Sequence, residues 1–402
     1  MISSWAWCFY SMWGNRFIAG SGLSQVGSWV SLLAIIVILQ KEYGSASVVW
    51  LFLLRTAGPA LLSRTVTRML KRCEPGSAWA AAQGLLCFLQ LSLFIIPINI
   101  ATILVITGIS CVIQGCANTW MMSCVTCTLT GGDRERTIRA MRTSAHVALV
   151  AGPALGAYIQ GHYGLRAVFI FDALTFLAAL MLLPWRLSAA LWSPGQRDKG
   201  GPRWVIGAPA SLRGCGWLAD LRYGWLTFGV FTGLLNCVEM PVLVSQRHLS
   251  TTEVALTISF FGVGGLCFFV QSLMGLSVGP AWLHALGSAV AFMGWASVEG
   301  LASSFLFAVL GYMLAAAGSG IEVRAAMMFS EITGDPSDLW AWFFQLGFYV
   351  SLLTYLAGLM YFYVWASPTF LIVLATVAIV LCVVFLHRLV RSSESDHVRL
   401  RP

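Results

Sequence analysis

The chain has 402 residues, 58% of them hydrophobic and 10% charged, with a mean hydropathy of +0.80. A water-soluble domain of that composition would have no polar skin to cover its core, so soluble globular classes are excluded and the bilayer must be the solvent. The net charge of +8 does not imply nucleic acid as a partner, because the cations lie in short loops and form no basic soluble domain.

Apolar stretches of bilayer-crossing length are predicted at 16–39, 46–65, 77–97, 100–124, 143–162, 165–185, 225–246, 253–275, 281–299, 302–323, 340–364 and 368–388. These twelve spans define an all-α polytopic membrane protein. The opening MISSWAWCFYSMWGNRF lacks the basic region and small-residue cleavage site of a signal peptide, so it is expected to stay attached. Its Trp5, Trp7 and Trp13 suit a collar at the headgroup level.

Span 1 carries Ser21, Ser24, Gln25 and Ser28 at the spacing of one helical face, beside Gly20, Gly22 and Gly27. Span 2 holds Arg55 near mid-depth, and span 4 holds Gln114 and Asn118 four residues apart. Such stripes either line a wet pathway or join helices by hydrogen bonds. Their recurrence on several spans favours the pathway. Cys124 and Cys127 form a lone CxxC, and the other cysteines are scattered mostly through apolar spans. They are read as small packing residues, with no metal site and no cofactor expected.

Span 5 contains Gly152, Pro153 and Gly156 in the run GPALG. The proline removes a backbone hydrogen bond and the glycines remove side chains, so a neighbouring helix can approach and the region can pivot. Span 6 carries Asp172 in its outer half. Span 7 carries Thr232, Asn236 and Glu239 at i, i+4 and i+7, and Glu322 and Arg324 sit where span 10 meets the inner interface. An ionisable group deep in a span costs about 2.5–3.5 kcal/mol on insertion scales. Glu239, Asp172 and Arg55 are therefore the candidates for proton coupling, Glu239 first because its stripe faces a cavity in this reading; the structural alternatives are a hydrogen bond to a neighbouring span for Glu239 and, favoured for Asp172 and Arg55, a buried charge paired simply to be tolerated.

The long segment between spans 6 and 7 divides the chain into a six-span bundle at 1–185, a cytoplasmic linker at 186–224, a second six-span bundle at 225–390 and a cytoplasmic tail at 391–402. GSASVVWLFLLRTAG entering span 2 and STTEVALTISFFGVG entering span 8 echo one another, as parallel repeats do. Of the 24 Lys and Arg, 20 fall on the face that carries both termini, and the positive-inside rule assigns that face to the cytoplasm.

At these residues the chain resembles the major facilitator superfamily, span 5 being similar to that superfamily's antiporter motif with Ala157 and Ala148 in place of two of its glycines. Residues 21–62 and 150–183 resemble more narrowly the branch with macrolide-efflux and enterobactin-exporter proteins, and LADLRYGW opens the second half in a similar way. The loop SRTVTRMLKRCEPGS between spans 2 and 3 has no acid at the place where the usual gate motif carries one, and GLSVGPAW between spans 8 and 9 has no charge. The resemblance implies two bundles around a central cavity bounded by spans 1, 4, 7 and 10.

The expected function is secondary transport: a proton-coupled exporter of a small amphipathic molecule, such as a siderophore or hydrophobic drug, acting as a monomer in a bacterial inner membrane. An importer of a metal chelate with the same fold is the alternative, and a non-transporting scaffold a more distant one. An intramembrane enzyme would need a nucleophile with its base, or a metal triad. The sequence has no HExxH or phosphate-cradling glycine loop, and its GxSxG match, GLSVG at 275–279, falls in the loop between spans 8 and 9.

Overall fold

The computed structural model describes residues 2–69, 74–129, 131–182, 216–273 and 336–364, with isolated helical positions at 290, 309–311, 313 and several between 373 and 388. Apart from those isolated positions, predicted spans 9, 10 and 12 lie outside them, as do the linker as far as 215 and Glu322 with Arg324. The described elements are α1 (Ile2–Ile38), α2 (Ser45–Met69), α3 (Pro75–Ile95), α4 (Ile100–Thr128), α5 (Gly131–Tyr163), α6 (Leu165–Leu182), α7 (Gly216–Met240), α8 (Thr251–Leu273) and α9 (Pro336–Val364).

Helices α1, α5 and α7 begin well before the spans that hydropathy predicts. Hydropathy marks where a chain meets lipid, whereas a helix propagates until a cap or breaker stops it. α5 shows the difference, because it runs through Arg134, Arg136, Arg139 and Arg142, a residue type with good helix propensity. Caps set other ends. Pro75 opens α3 at a position where its missing N–H is no loss, and the Asn99 side chain accepts the Thr102 N–H at 2.9 Å to start α4. Ser250 and Glu253 form a capping box before α8: the Glu253 carboxylate accepts the Ser250 N–H at 2.8 Å, and Ser250 Oγ accepts the Glu253 N–H at 3.3 Å.

The echo between the two halves has a backbone counterpart. α1 passes into a π-helical turn at Leu39–Tyr43, and α7 into another at Pro241–Gln246, each followed by a short connection to the next helix. Pro241 has no N–H to give the Cys237 carbonyl, which accounts for the change of register after α7. After the first turn Gly44 takes φ +77°, and Gly164 takes φ +82° between α5 and α6, a region glycine enters without a Cβ penalty.

Among the described residues, five helical stretches are long and apolar enough to cross a membrane: Gly14–Tyr43, Gly76–Ile95, Ile100–Asn118, Leu165–Leu182 and Leu226–Ser245. Their outward faces are apolar. On α3 Leu85, Phe88 and Ile95 are exposed, and on α6 Leu174, Leu177 and Met181 are, both at helical spacing. Such rows are stable only against lipid, and the chain is a multi-pass membrane protein.

The chain falls into two compact units, one comprising residues 1–43 and 54–199 and the other 44–53 and 200–402. In the first, α1 packs most extensively on α5 and next on α6, while α3 lies against α4 and α6. Its core groups Phe17, Trp79, Trp120 and Met141 with the small residues Ala82, Ala117 and Ala179. Without a hydrophobic force between helices in lipid, close approach at small residues supplies the packing energy. In the second, α7 packs on α9, and the opening of α2 adds Trp50, whose Nε1–H donates to the Tyr363 hydroxyl at 3.2 Å, and Phe52, stacked on Tyr355 with ring centroids 6.0 Å apart.

Candidate functional site

The α1 stripe is organised along its own helix before it meets any neighbour. Gln25 Nε2 donates to Ser21 Oγ at 2.8 Å, and Ser28 Oγ donates to the Ser24 carbonyl at 2.9 Å, the back-bond available to a hydroxyl within a helix. On α4, Gln114 Nε2 donates to Asn118 Oδ1 at 3.3 Å. Between these two stripes lies a cavity of about 310 Å³. Ser21, Gln25, Ser28, Trp29 and Leu32 of α1 form one wall, Gln114, Asn118 and Met121 of α4 another, and Ile138, Met141 and Ala145 of α5 the third. Arg55 of α2 completes the lining. The cavity is thus amphipathic, with amides, hydroxyls and one cation beside an apolar surface.

A smaller recess continues from the same residues toward α3, lined by Ser24, Trp79 and Gln83 together with Ser21, Gln25, Gln114, Asn118 and Met121. Ser24 Oγ, Gln83 Oε1 and Gln114 Oε1 are buried there without a hydrogen-bond partner. The two glutamine oxygens are acceptors and the Ser24 hydroxyl can give or take a hydrogen bond, so the recess, of about 10 Å³, is suited to a single water or hydroxyl. Gln83 has no place in the sequence reading, although an amide inside an apolar span was a visible signal. Trp29 and Leu32 were equally accessible as the next positions of the stripe through Gln25 and Ser28.

Asp172 lies elsewhere. It is fully buried on α6 and accepts the Ser31 hydroxyl at 2.6 Å, while Thr175 Oγ1 donates to its backbone carbonyl at 2.7 Å and lies 3.5 Å from its carboxylate. Facing it across the α1–α6 contact is Gly27, where a side chain would collide with Asp172 Oδ1 and Thr175 Oγ1. The arrangement ties α1 to α6 through a carboxylate held by hydroxyl groups. Arg55 is not its partner.

The α5 glycines sit against α1. A Cβ on Gly152 would lie 2.5 Å from the Trp29 Cβ, and one on Gly156 would lie 2.8 Å from the Val30 carbonyl oxygen. Pro153 is buried between them. Gly156 therefore touches backbone rather than a side chain that could rotate away.

In the second unit the three residues of the α7 stripe have separate surroundings. Thr232 Oγ1 donates to its own helix at the Gly229 carbonyl, 3.1 Å away, and Asn236 Nδ2 donates across to the Tyr355 hydroxyl of α9 at 2.9 Å. Glu239 is partly buried in the last turn before Pro241. Close approach of α7 and α9 depends on Gly358, where a Cβ would stand 2.7 Å from Cys237 Sγ.

Comparison with known proteins places this architecture. The chain is similar to the nucleoside transporter NupG, at a TM-score of 0.71 and 10% identity over 93% of this chain and 98% of that one. It is also similar to a POT family transporter in complex with 5-aminolevulinic acid, at 0.74 and 10% over 94% and 96%. A bacterial homologue of the iron transporter ferroportin matches at 0.67 and 14% over 94% and 98%. No protein-family description matches the sequence, and no curated protein matches it significantly. At these identities the likeness is one of architecture, and it shows that the chain adopts the two-bundle, all-α major facilitator fold.

Proposed function

We propose that this protein is a proton-coupled secondary exporter of a small amphipathic molecule, a siderophore or hydrophobic drug, working by alternating access in a bacterial inner membrane. The observation that carries the reading is that pivot and cavity share two helices. α5 brings Gly152 and Gly156 against Trp29 and Val30 of α1, and the same α1 and α5 supply Gln25, Ser28, Ile138 and Met141 to the cavity wall. Any sliding of α5 over α1 reshapes the wall that holds the cargo. The transporters of the same fold named above support the reading, as does the resemblance of the span 5 run to an antiporter motif. One proton moving inward contributes about 2.3 kcal/mol per 100 mV of membrane potential, enough to sustain a steep gradient of cargo.

Everted membrane vesicles test this. With the full chain expressed, an imposed proton gradient is expected to drive uptake of at least one member of a panel of siderophores and hydrophobic drugs, and a protonophore to abolish it. Movement only in the opposite direction would replace the exporter with an importer of a similar cargo. No gradient-dependent movement of any panel member, at verified expression, would count against secondary transport of this substrate class.

A further inference from the structure

The cavity of the first unit has a charge imbalance. Among the described residues that line it, Arg55 is the ionised one, and the remainder are hydroxyl, amide, aromatic or aliphatic. Arg55 is half-buried within a membrane helix and has no hydrogen bond or ion pair with another described residue. Among the described residues of the same unit, the carboxylate buried in a membrane helix is Asp172, and it is enclosed between α1 and α6 with Ser31 and Thr175. A guanidinium in a partly desolvated membrane site is costly without a counter-ion, and its planar fork suits a carboxylate better than any neutral acceptor.

We infer that the cargo itself supplies the anion: the cavity takes an amphipathic organic acid whose carboxylate pairs with Arg55 and whose apolar body lies against Trp29, Leu32, Ile138 and Met141. The amide groups of Gln25 and Asn118 stand in the same lining and carry N–H donors that a carboxylate can accept. The recess beside Ser24 has the opposite chemistry, with the Gln83 and Gln114 side-chain oxygens in want of a donor, so a hydroxyl on the acid would find a partner there. This inference rests on the transport reading for the identity of the cavity, but it concerns binding and needs no gradient.

The test uses the purified full-length chain in detergent and three probes of like shape: 2-naphthoate, neutral 2-naphthamide and cationic 2-naphthylmethylamine. Binding is followed by calorimetry in low-salt HEPES buffer, which brings no carboxylate to compete. The wild type is expected to prefer the naphthoate by about tenfold or more, the ratio one charge-assisted hydrogen bond supplies. Arg55→Gln should bind naphthoate and naphthamide alike, and Arg55→Lys should keep part of the preference. Equal binding of the three probes by the wild type, a preference for the amine, or no binding of any probe would overturn the inference. So would a preference that survives in Arg55→Gln. Addition of chloride at physiological concentration is expected to leave the preference in place; its abolition would make Arg55 the seat of a resident inorganic anion and refute the assignment. Should Arg55→Gln fail to fold, the wild-type comparison of the three probes still decides. Uptake by vesicles without naphthoate discrimination would sink the anion and leave the exporter standing. Discrimination without gradient-driven movement would do the reverse.

Discussion

Gly156 gives the sharpest test of how α1 and α5 are held together. Replacing it by alanine adds one carbon, which would lie 2.8 Å from the Val30 oxygen, 3.1 Å from its Cα and 3.3 Å from its carbonyl carbon. Ordinary contacts between such atoms begin at about 3.5 Å, so the two backbones must part by roughly half an ångström or more. Overpacking of this kind costs about 1–3 kcal/mol. Alanine also improves helix propensity by about 1 kcal/mol over glycine, which would mask part of the loss in a single measurement. Gly161 on the same helix separates the terms, because a Cβ there meets nothing within 4 Å. Gly161→Ala should therefore gain the propensity alone, and the two variants should differ by about 1–3 kcal/mol, the overpacking term. The assay is unfolding of purified protein in detergent followed by tryptophan fluorescence, with efflux measured in parallel. Gly156→Leu, whose bulk is larger still, is expected to insert yet lose transport. Equal stability of Gly156→Ala and Gly161→Ala would show that α1 and α5 part freely, and the packing argument would fail.

Topology reporters fused after Arg142 and within 197–203 should both read cytoplasmic, as the charge bias requires; a periplasmic signal from either would overturn the span count. Tyr355→Phe removes the hydroxyl that accepts from Asn236 Nδ2, so a partly buried amide loses its partner and stability should fall by about 1–3 kcal/mol; an unchanged unfolding midpoint would refute that contact. Glu239→Gln is expected to stop proton-driven efflux while energy-independent cargo exchange continues, since shape is kept and the exchangeable charge is lost. If efflux persists with the same pH profile, coupling passes to Asp172, and Asp172→Asn should then show the same separation.

The helices were legible because lipid imposes a simple requirement: every backbone polar group must be satisfied within its own segment, and the outward face must be apolar. The polar stripes were legible for a similar reason, since Ser21, Gln25 and Ser28 share a face at any rotation of the helix. What sequence does not contain is that rotation. Arg55 and Asp172 each announce themselves as charges within apolar spans, and both were candidates for coupling, yet one lines a cavity and the other is enclosed between two helices. The difference was set by Gly27, whose missing side chain leaves room on α1 for the Asp172 and Thr175 side chains of α6. Nothing in the spacing of α6 alone reveals that space. The α7 stripe shows the same limit, because Thr232, Asn236 and Glu239 share a face, but Thr232 satisfies itself on its own helix and Asn236 is taken by Tyr355 of α9. Periodicity identifies which residues look in one direction; the neighbour they meet depends on small residues far away in the chain. Glycine positions, read together with charged positions, are thus the part of a membrane sequence from which pairing is best argued. Here they assign Asp172 to a joint between α1 and α6 and leave Arg55 on a cavity wall.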